Sequence, residues 1–141
     1  MKQTDNFKFD EANVMNELVY RNLSEDAKRQ ICAWKYGGEY DLYNLPSYEE
    51  MQVRQIGFMN PQREKNYYGF WDESILVGFV NILEEKEEVF IGIGVNPDLC
   101  NKHYGQRMLL ITYEISKKLY PDKPLYLEVR TWNIRAVKCY Q

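Results

Sequence analysis

The middle of the chain alternates apolar and polar positions at the period of a β-strand. Three segments carry this pattern, residues 67–71, 75–83 and 89–95. A three-residue polar turn, Asp72-Glu73-Ser74, separates the first two, and four charged residues at 84–87 separate the second from the third. Strands joined by turns this short pair with their neighbours in antiparallel fashion. The pattern therefore predicts a three-stranded antiparallel meander.

Helical periodicity appears on both sides of the meander. After it, residues 104–120 carry an apolar stripe at helical spacing, formed by Tyr104, Met108, Ile111, Ile115 and Leu119. Before it, Ser24 and Ser47 are good N-caps for two helices, the second predicted over residues 48–58. A weak strand at 17–23, a strand at 125–129 and a last helix from Asn133 complete the order β-α-α-β-β-β-α-β-α.

This order predicts an α/β (α+β) fold built on one mixed sheet. The strand–helix–strand unit from residue 89 to 129 should add a parallel strand by a right-handed crossover. In the strand at 89–95, Val89, Ile91, Ile93 and Val95 share one face. Gly92 and Gly94 leave the other face bare, and we expect something to lie against the backbone there.

Composition narrows the class of protein. A chain of 141 residues is one domain, 1–141, and its net charge of −3 argues against binding to nucleic acid or to a membrane surface. No segment is apolar enough for a membrane span, and the polar N-terminus is not a signal peptide. A single histidine and three scattered cysteines predict neither a metal site nor a disulfide framework. A cytoplasmic location is the expectation.

The candidate chemistry lies where the strand at 89–95 ends. The strand runs into Pro97, a short polar loop follows, and an amphipathic helix opens near Gly105. This arrangement directs backbone N–H groups and a helix N-terminus at one place, where they can bind phosphate oxygens.

Two segments here resemble the GNAT family of acetyl-CoA-dependent N-acetyltransferases. The family's strand ends in a Val-x-Pro-like segment, here Val95-Asn96-Pro97, and its pyrophosphate loop, Gln/Arg-x-x-Gly-x-Gly/Ala, falls on residues 100–105. Only Gly105 matches the loop pattern, since Cys100 replaces the first residue and His103 the first glycine. Farther on, Asn133, Ala136 and Tyr140 stand at the family's Asn-x-x-Ala-x-x-x-Tyr spacing. The family fold has this element order followed by two further strands.

The resemblance implies an acetyl-CoA site and names its residues. Its cofactor-binding residues are Ile93, Gly94, Val95, Asn101, Lys102, His103, Tyr104, Gly105, Gln106, Arg107, Asn133 and Tyr140. Tyr140 is also the candidate general acid for the leaving thiolate, because a phenol and an alkyl thiol have similar pKa values.

For the general base and the acceptor site, the sequence offers several candidate residues rather than one. A carboxylate would deprotonate the amine, and the candidates are Glu87, Glu88 and Glu128, with water alone as an open alternative. The segment between the first two helices falls where the family builds its acceptor wall, and Trp34, Tyr36, Glu39 and Tyr40 would suit a cationic amine there. Plain packing of these aromatics is the other interpretation.

The predicted function is transfer of an acetyl group from acetyl-CoA to a primary amine, of a small molecule or a peptide N-terminus, by direct attack in a ternary complex. The alternative is a non-catalytic acyl-CoA-binding or regulatory module on the same fold. The chain stops inside the predicted Asn133 helix, before the family's last two strands. We therefore expect either a C-terminally truncated domain or a homodimer that covers the unpaired edge of the strand at 125–129.

Overall fold

The structure, a computed structural model, describes residues 18–38, 44–100 and 102–127. Within these ranges the chain forms three α-helices and five β-strands. In chain order they are β1 (Val19–Asn22), α1 (Glu25–Ala33), α2 (Tyr48–Arg54), β2 (Tyr67–Asp72), β3 (Ile75–Glu84), β4 (Val89–Val95), α3 (Tyr104–Leu119) and β5 (Leu125–Leu127). The predicted helix from Asn133 lies outside the described residues.

The five strands form one mixed sheet in the order β1-β2-β3-β4-β5. The first three pairings are antiparallel, and β5 lies parallel to β4, with Val89 opposite Leu125 and Ile91 opposite Leu127. Helix α3 makes the crossover between those parallel strands. The predicted meander, the parallel neighbour and the mixed α/β class are all confirmed.

A β-bulge in β3 distributes its side chains between the two faces of the sheet. Gly78 pairs with Phe70, but Trp71 pairs with Leu76, so Val77 is the extra residue. Bulges of this kind turn a strand locally. As a result Leu76 packs with α1 and α2, while Val77 packs in the cluster beneath α3. The alternating pattern of the sequence did not reveal this switch.

Helix α3 covers one face of the sheet through a buried row centred on Met108. Met108 and Thr112 are 0% and 1% exposed, and Ile115 is also buried. The predicted apolar stripe is therefore right at its centre. It is wrong at Leu119, which is half exposed at the last turn because the helix has there passed beyond the sheet face that buries its middle.

Helices α1 and α2 cover the other face, and each begins at its predicted cap. The Ser24 hydroxyl accepts from Ala27 N, and the Ser47 hydroxyl accepts from Glu50 N. Helix α2 ends at Arg54 rather than at residue 58, because Gln55 adopts a left-handed conformation with φ 53° and a short 3₁₀ turn, Gly57–Met59, follows. A left-handed residue after the last turn is a common helix stop.

Candidate functional site

Asn96 anchors the carboxyl end of β4 to the neighbouring strand. Its backbone N–H donates to Val77 O (2.9 Å), and its side-chain Nδ2 donates to Leu76 O (3.1 Å). Its Oδ1 accepts from Asp98 N (3.0 Å), which starts a 3₁₀ turn over Pro97–Leu99. Asn-Pro sequences favour such side-chain-stabilised turns. The strand end is thus fixed before the loop begins.

His103 is the residue at which the loop turns into α3. It has φ 67° and ψ 14°, a left-handed conformation that glycine adopts most easily but that histidine also visits. This position carries the first glycine of the family loop motif, so the backbone keeps the glycine-like shape although the residue differs.

The first turn of α3 presents a group of main-chain donors. The first backbone bond of the helix runs from Arg107 N to His103 O (3.3 Å), and the side chain of His103, the N-cap residue, makes no capping hydrogen bond. The N–H groups of Tyr104, Gly105 and Gln106 therefore precede the helical ladder. Together with the helix dipole they suit an anion such as a pyrophosphate. Gly105 is buried, and Lys102, His103 and Gln106 are exposed.

Tyr104 ties this helix start to the β2–β3 hairpin. Its hydroxyl donates to Asp72 Oδ2 (2.6 Å). That hydrogen bond, with a smaller contribution from burial, raises the pKa of Tyr104 above its usual value. The Arg107 guanidinium lies 5.3 Å from the centroid of the Tyr104 ring. The sequence assigned Tyr104 to the cofactor loop, but its hydroxyl is committed to holding the loop in place.

The bare glycine face of β4 is covered by an aromatic ring of the same chain. A Cβ built on Gly94 would lie 2.5 Å from Phe79 Cε1. Phe79, the cross-strand partner of Gly94, belongs to an aromatic group with Phe58, Tyr67 and Trp34. The bare glycine face predicted that something lies against the backbone, and at Gly94 it is a side chain of the neighbouring strand. The glycine makes room for Phe79, which single-strand alternation could not indicate.

Two predicted acceptor residues, Trp34 and Tyr36, lie at this same strand end. The Trp34 ring is 6.2 Å from Phe79, centroid to centroid. The Tyr36 hydroxyl donates to Val95 O (2.6 Å), and Tyr36 N donates to Asn44 Oδ1 (2.6 Å). The structure thus brings the segment after α1 to the last residue of β4, as the acceptor-wall interpretation expects.

Among the remaining candidates, Glu87 lies away from the site, Ile93 lies on β4, and six others are outside the described residues. Glu87 is exposed in the β3–β4 turn, at the amino end of β4, and so is about 20 Å along the strand from Val95. The structure does not bring it to the site. Ile93 lies on β4 toward its carboxyl end. Six further candidates lie outside the described residues: Glu39, Tyr40, Asn101, Glu128, Asn133 and Tyr140.

Sequence reasoning missed residues that hold the site together. Asp72 and Asn44 each accept a hydrogen bond from a candidate, and Phe79 packs against one; Asp72 and Phe79 come from other strands, and Asn44 from the far end of the connection between α1 and α2. Asn96 had a usable signal, since an Asn-Pro pair directly after a strand indicates a side-chain turn. The others had none, because their partners are known only once the sheet is assembled.

One expectation about the cysteines is wrong. Cys32 is a buried free thiol, but Cys100 is disulfide-bonded. A bridge between distant cysteines leaves no spacing signal in the sequence. Among the residues that the structure describes, no cluster of three or more side chains could hold a metal ion. No helix in those ranges is long and apolar enough to cross a membrane.

Comparisons with known proteins agree with this geometry. A model of the acetyltransferase (GNAT) family matches residues 29–141. A chimera of spermidine N-acetyltransferase SpeG from Vibrio cholerae and hSSAT is similar in structure, with TM-score 0.70 and 20% identity over 88% of this chain and 77% of that one. No curated protein sequence matches the chain.

Two further solved structures are similar over most of their length. The PaiA N-acetyltransferase from Thermoplasma acidophilum, in complex with coenzyme A, has TM-score 0.60 and 18% identity, covering 88% of this chain and 86% of that one. A GNAT-family acetyltransferase from Streptococcus pneumoniae has TM-score 0.58 and 20% identity, covering 89% and 82%. At such identities the likeness shows a shared fold.

Proposed function

Because this chain belongs to the acetyltransferase (GNAT) family, we propose that it transfers an acetyl group from acetyl-CoA to a primary amine by direct attack in a ternary complex. The acceptor is a small molecule or a peptide N-terminus. The observation that carries the proposal is the Tyr36–Val95 hydrogen bond, which brings the aromatic segment after α1 to the carboxyl end of β4, the strand end from which the chain leads through His103 into α3.

The cofactor is proposed to bind with its pyrophosphate on the main-chain N–H groups at residues 103–107 and its pantetheine arm along residues 93–95. The left-handed turn at His103 supports this, because it directs successive N–H groups toward one anion. Asn101 and Asn133 keep the binding roles that the family resemblance gives them.

Acetyl-CoA supplies the acetyl group already activated as a thioester. The N–H of Val95 donates to the thioester oxygen as negative charge develops there, which lowers the barrier to attack. Val95 is suitable because Asn96 N–H, in the next peptide unit, points toward β3. The C=O of that same trans peptide is the C=O of Val95, and it points the opposite way, toward the β5 side. In a strand the N–H and C=O of one residue point to the same side, so the Val95 N–H also points toward the β5 side.

An amine is the proposed acceptor because of the chemistry of the wall. Trp34 and Tyr36 offer aromatic surface, and Glu39 and Tyr40 belong to the same segment in sequence. Aromatic faces with a nearby carboxylate suit an ammonium group. The spermidine N-acetyltransferases among the structural neighbours are named for an amine substrate, which is consistent with this choice.

The positions of the carboxylates in the fold reduce the number of candidates for the general base that deprotonates the amine. Glu87 and Glu88 both lie in the turn before β4, at the end of the strand opposite Val95. Glu128 and water are therefore the proposed routes. Tyr140 stays the proposed general acid for the departing thiolate.

Replacing Tyr140 by Phe tests that assignment. We expect kcat to fall about tenfold or more, while the affinity for acetyl-CoA stays within about twofold, because the hydroxyl acts on the leaving group rather than in ground-state binding. Steady-state kinetics and calorimetric titration measure the two quantities. A variant with the kcat of the wild type would remove Tyr140 from the mechanism.

A glutamate at Gly105 tests the cofactor site. Gly105→Glu should weaken CoA binding about a hundredfold, because it places bulk and negative charge among the N–H groups that receive the phosphates. Gly105→Gln is the matched control for bulk alone and should lose less. Because Gly105 is buried, thermal denaturation of both variants checks that α3 stays folded. Equal affinities in isothermal titration would overturn the site assignment.

Turnover distinguishes the enzyme from the non-catalytic module. A panel of polyamines, amino sugars and peptide N-termini is incubated with acetyl-CoA, with thiol release and product mass as readouts. The proposal expects catalysed thiol release with a matching acetylated product for one class of amine. Tight CoA binding without any acetylated product would favour the binding module instead.

A further inference from the structure

We propose that Tyr36 is a positioning residue for acyl transfer. Its hydroxyl holds the carboxyl end of β4 so that the Val95 N–H keeps the direction in which it meets the thioester oxygen. This inference rests on the proposed function, because the role of the Val95 N–H is part of that function. It gives Tyr36 a task beyond lining an acceptor wall.

The peptide between Val95 and Asn96 is held from both sides. On the β3 side its N–H donates to Val77 O (2.9 Å). On the opposite side its C=O accepts the Tyr36 hydroxyl (2.6 Å). This is the last peptide of β4, beyond which the chain leaves the sheet in a 3₁₀ turn. Loss of the Tyr36 bond would remove the hydrogen bond on the side of this peptide that faces away from β3.

The hydroxyl and the proposed donor lie along the same edge of β4. In an extended strand the N–H and C=O of one residue point to the same side. The Val95 N–H therefore faces the side on which Tyr36 approaches, away from β3. A rotation of this residue that broke the Tyr36 bond would also redirect the N–H.

The Tyr36 hydroxyl is itself placed by the segment that carries it. Tyr36 N donates to Asn44 Oδ1 (2.6 Å), which draws together the two ends of the chain between α1 and α2. Two residues earlier, Trp34 contacts the Phe79 ring that covers Gly94. The proposed acceptor wall and the proposed oxyanion donor are thus one connected unit.

A positioning role predicts a loss in the transition state and not in cofactor binding. An oxyanion donor contributes most when charge develops, so a misdirected donor lowers kcat. We expect Tyr36→Phe, which keeps the ring and removes the hydroxyl, to lower kcat about tenfold with the KM for acetyl-CoA within about twofold. Tyr126→Phe is the matched control, because it removes a hydroxyl bonded to Glu85 (3.1 Å) at the far end of β4.

A binding measurement separates positioning from general damage. One ligand is a methyl-ketone analogue of acetyl-CoA with CH₂ in place of the thioester sulfur. The other is S-ethyl-CoA, which lacks the acyl carbonyl. The wild type should bind the ketone more tightly than S-ethyl-CoA. Tyr36→Phe should reduce that preference about fivefold, which is the contribution of one ordinary hydrogen bond. Its affinity for S-ethyl-CoA should change little. Tyr126→Phe should keep the wild-type ratio.

The outcomes distinguish this inference from the function on which it rests. A wild type that binds neither ligand overturns both. A wild type that prefers the ketone, with a Tyr36→Phe variant that prefers it equally, overturns the positioning role and leaves the proposed function standing. Equal losses of affinity for both ligands in Tyr36→Phe also count against positioning, because a merely structural role predicts that result.

Discussion

At the residue scale, His103 shows how a position can keep the shape of a motif without its residue. Its φ of 67° lies in the region that glycine favours, and a Cβ makes that region less favourable. The donors that we propose for the phosphates are main-chain groups, so they depend on the backbone angle and not on the imidazole. Stability and cofactor binding should therefore respond differently to substitution here.

Substitutions at His103 test this separation. His103→Gly should raise the free energy of unfolding by about 0.5–1 kcal/mol, and His103→Val should lower it by about 1–2 kcal/mol, because β-branched residues tolerate a positive φ least. CoA affinity should change less than threefold in the glycine variant. Urea denaturation and calorimetry give the two quantities. A glycine variant that binds CoA tenfold more weakly would show that the side chain itself contacts the ligand.

At the scale of elements, local sequence signals predicted most of the fold. Ser24 and Ser47 marked two helix starts correctly, and alternation located β2, β3 and β4. The signals failed where a neighbour decides the structure. The bulge at Val77 depends on the pairing of β2 with β3, and the role of Gly94 depends on Phe79 from the adjacent strand. The start of the candidate site was predictable from Pro97 and Gly105, and the turn at Asn96 from its Asn-Pro pair, whereas the support from Asp72 required the assembled sheet.

A buried lysine connects α1 to the segment before β2, and no pattern predicted it. The Lys28 side chain is 3% exposed and contacts Glu25 Oε2 (3.2 Å) and Glu64 Oε2 (2.5 Å). Burial alone would lower the pKa of Lys28, but hydrogen bonds to Glu64 and Glu25 outweigh it and raise the pKa. The pKa of Glu25 is lowered, first by a hydrogen bond from Tyr48 and then by Lys28.

The two ways of breaking this cluster should differ in cost. Glu25→Gln with Glu64→Gln leaves a buried ammonium without a counter-charge and should destabilise by about 2 kcal/mol, whereas Lys28→Met, which frees two largely exposed carboxylates, should change stability by less than about 1 kcal/mol. Chemical denaturation at pH 7 measures both. The reverse order would mean that the ammonium reaches water in the double variant.

The same cluster makes the stability of the protein depend on pH in a predictable direction. Because the folded pKa of Glu25 lies below its ordinary value of 4.5, its contribution to stability is present above that pH and is lost as the pH falls through the folded pKa. Lys28 has a raised pKa, so its contribution is present below 10.5 and is lost at higher pH. Lys28→Met should make stability less dependent on pH in both the acidic and the basic range. The effect should be more complete in the basic range, because Tyr48 still donates a hydrogen bond to Glu25 in that variant.

At the scale of the whole molecule, the described sheet is unevenly protected. Strands β3 and β4 carry fully buried side chains such as Val77, Val80 and Val89, whereas all four residues of β1 are exposed. Amides in the central strands should exchange with solvent only when the whole domain unfolds, and those of β1 through smaller local openings. Cofactor binding at the end of β4 should therefore slow hydrogen exchange of the central-strand amides more than that of the β1 amides.

Amide hydrogen exchange with and without CoA tests this picture and the site together. A ligand that binds only the folded state at a hundredfold excess over its Kd stabilises by about 2.7 kcal/mol, so the slowest amides of β3 and β4 should slow about a hundredfold. Residues 103–107 should gain protection through direct contact, and β1 amides, which open locally without releasing ligand, should change little. Gly105→Glu, with a Kd about a hundredfold higher, should reduce the slowing of the β3 and β4 amides to about twofold at the same CoA concentration. Protection that appears in α1 and α2 but not at residues 103–107 would place the ligand on the opposite face of the sheet and contradict the proposed site.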